Sequence, residues 1–106
     1  MITFDEFKKV ELKTAKILDA QDIPGADRIW KLTVDIGGEK KEIVAGIKQF
    51  YTREALVGRS VVVVNNLTPS VIRGVESHGM LLVAKDGTTL SLLTVDKDMP
   101  PGSIVG

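Results

Sequence analysis

Residues 39–67, EKKEIVAGIKQFYTREALVGRSVVVVNNL, decide the architecture. EKKEIVAG reads as a strand that stops at Gly46. Thr52 then supplies an N-cap for the short helix TREALVG, which Gly58 ends. SVVVVNNL is almost wholly apolar at its centre, the pattern of a strand buried on both faces. The element at the middle of the chain is therefore strand, short helix, buried strand.

Upstream, Trp30, Leu32, Val34 and Ile36 alternate with Lys31, Thr33 and Asp35, so this run is a half-buried strand with Trp30 on the core side. Gly37-Gly38 joins it to EKKEIVAG as a two-residue hairpin turn. Before it, Pro24-Gly25-Ala26-Asp27 marks another turn. VELKTAKILDA is a long strand whose apolar phase changes between Leu12 and Ile17, which predicts a bulge near Thr14 and Ala15. ITFDEFKKV reads as a short helix capped by Thr3, with Phe4 and Phe7 on one face. Downstream, Pro69 marks a loop, GMLLVA a buried strand, Asp86-Gly87 a second hairpin turn and TTLSLLTV the strand after it. DMPPGSIV closes with a short final strand. Three meandering strands, a helix and two or more further strands is the order of an all-β, five-stranded Greek-key OB-fold barrel with its helix between strands three and four. No linker or repeat interrupts it, so residues 1–106 are expected to form a single domain.

Apolar residues make up 43% and charged ones 26%, the ordinary balance of a soluble globular protein. No apolar run is long enough to span a bilayer, and MITFDEFKKVELK lacks the layout of a signal peptide. With no cysteine as well, a cytoplasmic protein without membrane partners is expected. Fourteen bases balance fourteen acids, which excludes a strongly basic nucleic-acid binder on total charge. The distribution is uneven: Arg28 to Arg73 holds eight bases against four acids, and the stretch from Gly74 onward holds two against four.

Catalytic chemistry finds little to use. His78 is the only histidine, and Ser77 beside it would point to the opposite side of an extended chain. One histidine and no cysteine cannot assemble a nitrogen–sulfur zinc site. Gly37-Gly38 lacks the lysine and hydroxyl of a phosphate loop. No catalytic residue, metal or cofactor is expected.

NLTPSVIRGVESHGMLLVA, residues 66–84, resembles a signature of the tRNA-binding domain family, best known at the C-terminus of methionyl-tRNA synthetases. Asn66, Leu67, Pro69, Arg73, Gly74, Ser77, Gly79 and Met80 match it. VELKTAKILDA and IPGADRIWKLTVDIG are similar to earlier family segments, so the resemblance covers nearly the whole chain. It implies an OB barrel that binds tRNA by shape, as an accessory or appended domain of an aminoacyl-tRNA synthetase. It also implies a homodimer, with Phe4 and Phe7 of the first helix and Met99 and Pro100 of the tail at the interface. A branch of the family similar to a secretion chaperone implies the alternative, a peptide-binding protein. The chain departs from the family at Thr68 and Val71, where lysines are usual, at His78, where glutamine is common, and at Ala15, where glycine is usual. Fewer loop lysines imply fewer phosphate contacts and weaker, less salt-sensitive binding.

The candidate tRNA contacts are Arg28, Lys31, Lys48, Asn66, Arg73, Ser77 and Met80. All but Lys48 have a plainer alternative. Arg28, Lys31 and Arg73 could be solvated, Ser77 and Asn66 could brace local backbone, and Met80 could be core. Five aromatic residues, one of them the core-phased Trp30, are too few for the stacking platforms of a single-strand binder. The inventory suits a protein that reads folded RNA by backbone and shape.

Overall fold

The computed structural model describes all 106 residues. A short helix, α1 (Phe4–Phe7), opens the chain, closed by a reciprocal capping box between Thr3 and Glu6. The strands β1 (Leu12–Asp22), β2 (Trp30–Asp35) and β3 (Lys40–Ala45) form an antiparallel meander. The helix α2 (Arg53–Leu56), capped by Thr52, leads into β4 (Ser60–Val64), which returns alongside β1. A hairpin of β5 (Ser70–Ile72) and β6 (Val75–Ser77) precedes β7 (Met80–Leu81), which pairs with β4. β8 (Val83–Asp86) and β9 (Thr89–Leu92) make a further hairpin, and β10 (Ile104–Val105) pairs with the start of β1. The main sheet runs β3-β2-β1-β4-β7 and curls into a nearly closed barrel, the OB architecture expected from strand order.

The barrel interior is one cluster of sixteen side chains, with Ile17, Leu32, Val34, Ile43, Leu56, Val61 and Val63 fully buried. Leu56 is the only buried residue of α2 and lies in that cluster. Trp30 lies in the core on the phase shared with Leu32 and Val34, and its indole N–H donates to the Tyr51 carbonyl at 2.9 Å. Val61 to Val64 are all buried, as a strand covered on both faces requires.

Four local expectations are corrected. The bulge in β1 lies at Leu18, not near Thr14 and Ala15: Ile17 pairs with Val34, and Asp19 with Thr33. The early phase change has another cause. Thr14 faces away from the core but is buried by the C-terminal tail, its hydroxyl donating to Pro100 O and accepting from Ser103 N, both at 2.9 Å. The tail lies so close to the β2–β3 turn that a Cβ on Gly102 would fall 2.5 Å from the Ile36 carbonyl oxygen. Secondly, the segment after Pro69 is a paired hairpin rather than a plain loop, because Arg73 and Gly74 both adopt positive φ and turn the chain in two residues. Thirdly, GMLLVA is two strands: the chain bends at Leu82, and β8 leaves the main sheet to pair with β9. Finally, the turn of that last hairpin is Gly87-Thr88, one residue later than expected.

Arg53 fastens α2 to the barrel through Asp19, donating from Nε at 3.1 Å and from Nη2 at 2.6 Å to the same carboxylate oxygen. The Arg53 hydrogen bonds hold the Asp19 carboxyl below the usual aspartate value. A carboxyl depressed in the folded state contributes stability above its ordinary pKa and loses it as pH falls through that value toward the folded one. The stability difference between the wild type and Asp19→Asn should therefore be flat near neutrality and shrink below roughly pH 4. Urea denaturation across pH checks this, and a difference independent of pH would remove the pair from the acid response.

Candidate nucleic-acid interface

The outer face of β2–β3 is flanked by two projecting loops, and a second, small core explains their position. Ile23 and Ala26 from the β1–β2 loop pack on the outward side chain of Val44 in β3, with Ile29 and Val75 closing over them. The β1–β2 loop turns tightly at Pro24-Gly25, with Ala26 N–H donating to Ile23 C=O at 3.0 Å. Val75 belongs to β6, so the same apolar cluster ties the β5–β6 hairpin to the β1–β2 loop. Arg28 and Arg73 consequently line one cleft together with Asp27, Ile29 and Ile72. Both arginines are exposed, and neither forms an ion pair.

Arg73 has φ 52, the only non-glycine residue of the chain with positive φ. That conformation costs an L-residue with a Cβ about 1–2 kcal/mol. Asparagine would fit the turn better. Backbone strain at a long cationic side chain, held at the mouth of a cleft, points to a role for the guanidinium rather than for the fold.

The remaining expected contacts are distributed differently. Lys31 pairs with Glu42 at 2.9 Å across β2–β3 and lines a neighbouring groove with Lys40, Lys41, Glu76 and His78. Lys48 pairs with Asp22, and its ammonium lies 5.0 Å from the centre of the Trp30 ring. Its backbone N–H donates to the Arg28 carbonyl at 3.2 Å, which puts it beside the arginine cleft. Met80 is exposed and lines a separate apolar slot with Ile47 and Leu81.

Two of the expected contacts are employed within the fold. Ser77 is buried; its hydroxyl accepts from Val44 N–H at 3.0 Å and donates to Gly79 C=O at 3.2 Å. This corrects the reading of Ser77 as a surface contact: the hydroxyl fastens β3 to the segment after β6. The Asn66 side chain accepts from Glu11 N–H at 2.9 Å and donates to Lys9 C=O at 2.6 Å, so both ends of its amide hold the chain between α1 and β1. Beside it, Asn65 donates to Glu11 at 2.8 Å and accepts from Lys41 Nζ at 2.8 Å. The Asn65 hydrogen bond is the main reason the Glu11 carboxyl lies below its usual value.

Lys40, Glu42, Glu76 and His78, none of them among the expected contacts, line the groove next to Arg73. The alternation of β3 could have placed Lys40 and Glu42 on the outer face, but only the hairpin brings Glu76 and His78 opposite them. No group of three His, Cys, Asp or Glu side chains is arranged to hold a metal ion. No helix is long and apolar enough to cross a membrane.

The expected interface residues lie at the two termini. Phe4, Phe7, Met99 and Ile104 are exposed, and Val10 and Ile104 line a common cleft between the N-terminal segment and β10. Pro100 is exposed as well, while its carbonyl is tied to Thr14 and Ser103.

Residues 12–104 match the tRNA binding domain family. The chain belongs to this family. Its relatives include the methionine–tRNA ligase of Thermotoga maritima, 51% identical over 104 residues, which are 98% of this chain and 16% of that enzyme. The chain thus spans about one-sixth of the length of that curated relative. A MetRS-related protein of Pyrococcus horikoshii has the same fold, with a TM-score of 0.94 at 34% identity over 100% of this chain and 98% of that one. The CsaA chaperone protein of Picrophilus torridus superposes with a TM-score of 0.92 at 28% identity, over the whole of both chains.

Replacing Arg73 with asparagine should relieve the turn and raise stability to urea by about 1 kcal/mol, while lowering affinity for tRNA. Equal affinity in the stabilised variant would remove Arg73 from the interface.

Proposed function

We propose that this chain binds tRNA by its folded shape and serves an aminoacyl-tRNA synthetase, methionyl type, as an accessory or appended domain in the cytoplasm. The observation that carries the reading is the Arg28–Arg73 cleft. Two unpaired guanidinium groups on loops held by one apolar cluster suit the phosphates of a curved backbone. Loops of this kind, beside the strand 2–3 face, are where OB barrels take up oligonucleotides. Lys31 and Lys48 add charge once a phosphate displaces Glu42 or Asp22. Membership of the tRNA binding domain family supports the choice of ligand, and the methionine–tRNA ligase relative supports the choice of enzyme. In this reading the chain has no catalytic residue of its own.

The chaperone alternative has in its favour the likeness to the CsaA chaperone protein. The arginine cleft favours RNA over it, because an unfolded apolar peptide makes no use of two exposed, unpaired guanidinium groups.

The reading also includes a homodimer. The exposed Phe4, Phe7, Met99, Pro100 and Ile104 offer apolar surface at both termini, and a second copy would cover it. Two copies would give a tRNA two sets of phosphate contacts, adding affinity that one neutral chain lacks.

In a gel-shift assay at two salt concentrations, folded tRNA should bind better than a duplex or a single strand, and more weakly at higher salt. Arg28→Ala should weaken tRNA binding and reduce the slope of log affinity against log salt by about one. Equal binding to tRNA and to unfolded peptide would sink the proposal. Sedimentation should give a dimer that becomes monomeric when residues 1–9 are removed; a dimer that survives the deletion would clear α1 of the interface.

A further inference from the structure

Nine of the chain's ten glycines are internal, and eight of these nine have positive φ. Gly46 is the exception. Its φ lies outside the left-handed region, and a Cβ built on it would meet nothing within 4 Å. Neither the backbone conformation nor the packing of this chain therefore calls for glycine at that position. A glycine that the fold does not need, facing open space, marks a place where something else approaches the backbone.

Gly46 sits on the wall of an apolar slot of about 170 Å³, where β3 ends and the barrel is left open toward β7 and β8. Ile47, Val83 and Leu90 line it, Met80 stands exposed at its edge, and Lys85 is its only charged residue. This volume is below the usual range of cofactor and drug-sized sites, roughly 300–1,000 Å³. It suits one planar ring. The slot shares no lining residue with the arginine cleft but lies near it along the chain: Lys48 follows Ile47 directly, and the Lys48 N–H bonds the Arg28 carbonyl. Lys85 lines the slot, and Lys48, paired with Asp22, stands nearby in the direction of the cleft.

We infer that the slot takes a single unstacked nucleobase of the bound RNA, an inference that rests on the tRNA-binding reading. The base lies against the Gly46 backbone with the polarizable Met80 thioether at its edge, while Lys48 and Lys85 face the phosphates before and after it. Apolar walls read the base by its face and not by its hydrogen-bonding edge, so the slot selects RNA that can splay a base out of its stack. A tRNA, with unpaired loop nucleotides, offers such a base; a continuous duplex does not. The slot therefore adds a preference for folded tRNA that the phosphate contacts alone do not give.

The test compares wild type, Gly46→Leu and Met80→Ala for affinity to tRNA and to a fully paired RNA duplex, with thermal melts to check folding. Leucine at position 46 adds apolar bulk at the wall of the slot without left-handed backbone strain. It should lower tRNA affinity about tenfold, the range expected for losing one stacked base, and leave duplex affinity and the salt slope unchanged. Met80→Ala, which removes side chain instead of adding it, should lower tRNA affinity in the same selective way. If both folded variants bind tRNA as tightly as the wild type, the slot is empty in the complex and the inference falls, while the arginine cleft stands. If they weaken tRNA and duplex equally, the slot is part of the general electrostatic surface and the inference also falls. An apolar peptide that binds wild type but not Gly46→Leu would assign the slot to peptides and overturn it. A wild type with no preference for tRNA over duplex would remove the proposed function and this inference together.

Discussion

A small open barrel depends on what happens at the free edge of its third strand. β3 pairs fully with β2 on one side, and its other edge faces the chain between β6 and β7. Buried N–H and C=O groups left unpaired there would each cost on the order of 1–3 kcal/mol. Two residues answer that demand. Ser77 Oγ accepts from Val44 N–H, and His78 N–H donates to Glu42 C=O at 2.9 Å. The closure is made by one side chain and one backbone group, not by a continuous ladder. Beyond Ala45 it stops, and the apolar slot opens. The same closure sets the binding face, because fastening β6 to β3 puts Val75 over Val44 and brings Arg73 to the cleft shared with Arg28.

The barrel was legible in the sequence because its main signals are local. The alternation through Trp30, Leu32 and Val34, the Gly37-Gly38 turn, the Thr52 cap and the buried run Val61 to Val64 each depend on near neighbours. What was misread depends on distant partners. The phase change in β1 is real, but Thr14 is buried by a tail about ninety residues away, so the pattern alone put the bulge too early. The β5–β6 hairpin was hidden because its turn uses arginine where a left-handed conformation favours Asn or Gly. The break at Leu82 was hidden because GMLLVA is apolar throughout, which reads as one buried strand although only Leu81 of it is buried.

The site divides along the same line. Residue types suggested which side chains could touch phosphate, and the structure brings the unpaired Arg28 and Arg73 to one cleft. Residue types could not show which groups are already engaged. Ser77 and Asn66 sit in the signature that carries the resemblance, yet their hydrogen bonds close the barrel and brace β1. A family signature mixes residues that touch the ligand with residues that shape the surface, and only their partners in three dimensions separate them. Lys41 makes the same point: it lies in a run of basic residues, but its ammonium is held by Asn65.

A chain of zero net charge must still attract a polyanion, and the ion pairs decide how. Lys31 and Lys48 each hold a carboxylate in the free protein, so a phosphate has to displace Glu42 or Asp22 before it gains from either lysine. Exposed pairs of this kind are worth about 0.2–1 kcal/mol, so the exchange is feasible but adds little net affinity. In the proposed complex the unpaired arginines would supply most of the attraction per contact, and with Thr68 and Val71 in place of lysines there are few further cations on the hairpin. Non-specific binding, which scales with the number of phosphates neutralised, is correspondingly weak. Weak general attraction favours selectivity. Under the proposed function, a duplex that meets only the arginines would be released readily, an RNA whose curvature fits the cleft would engage the loops, and a second copy of the chain would double those contacts without raising the affinity of either one for the wrong RNA.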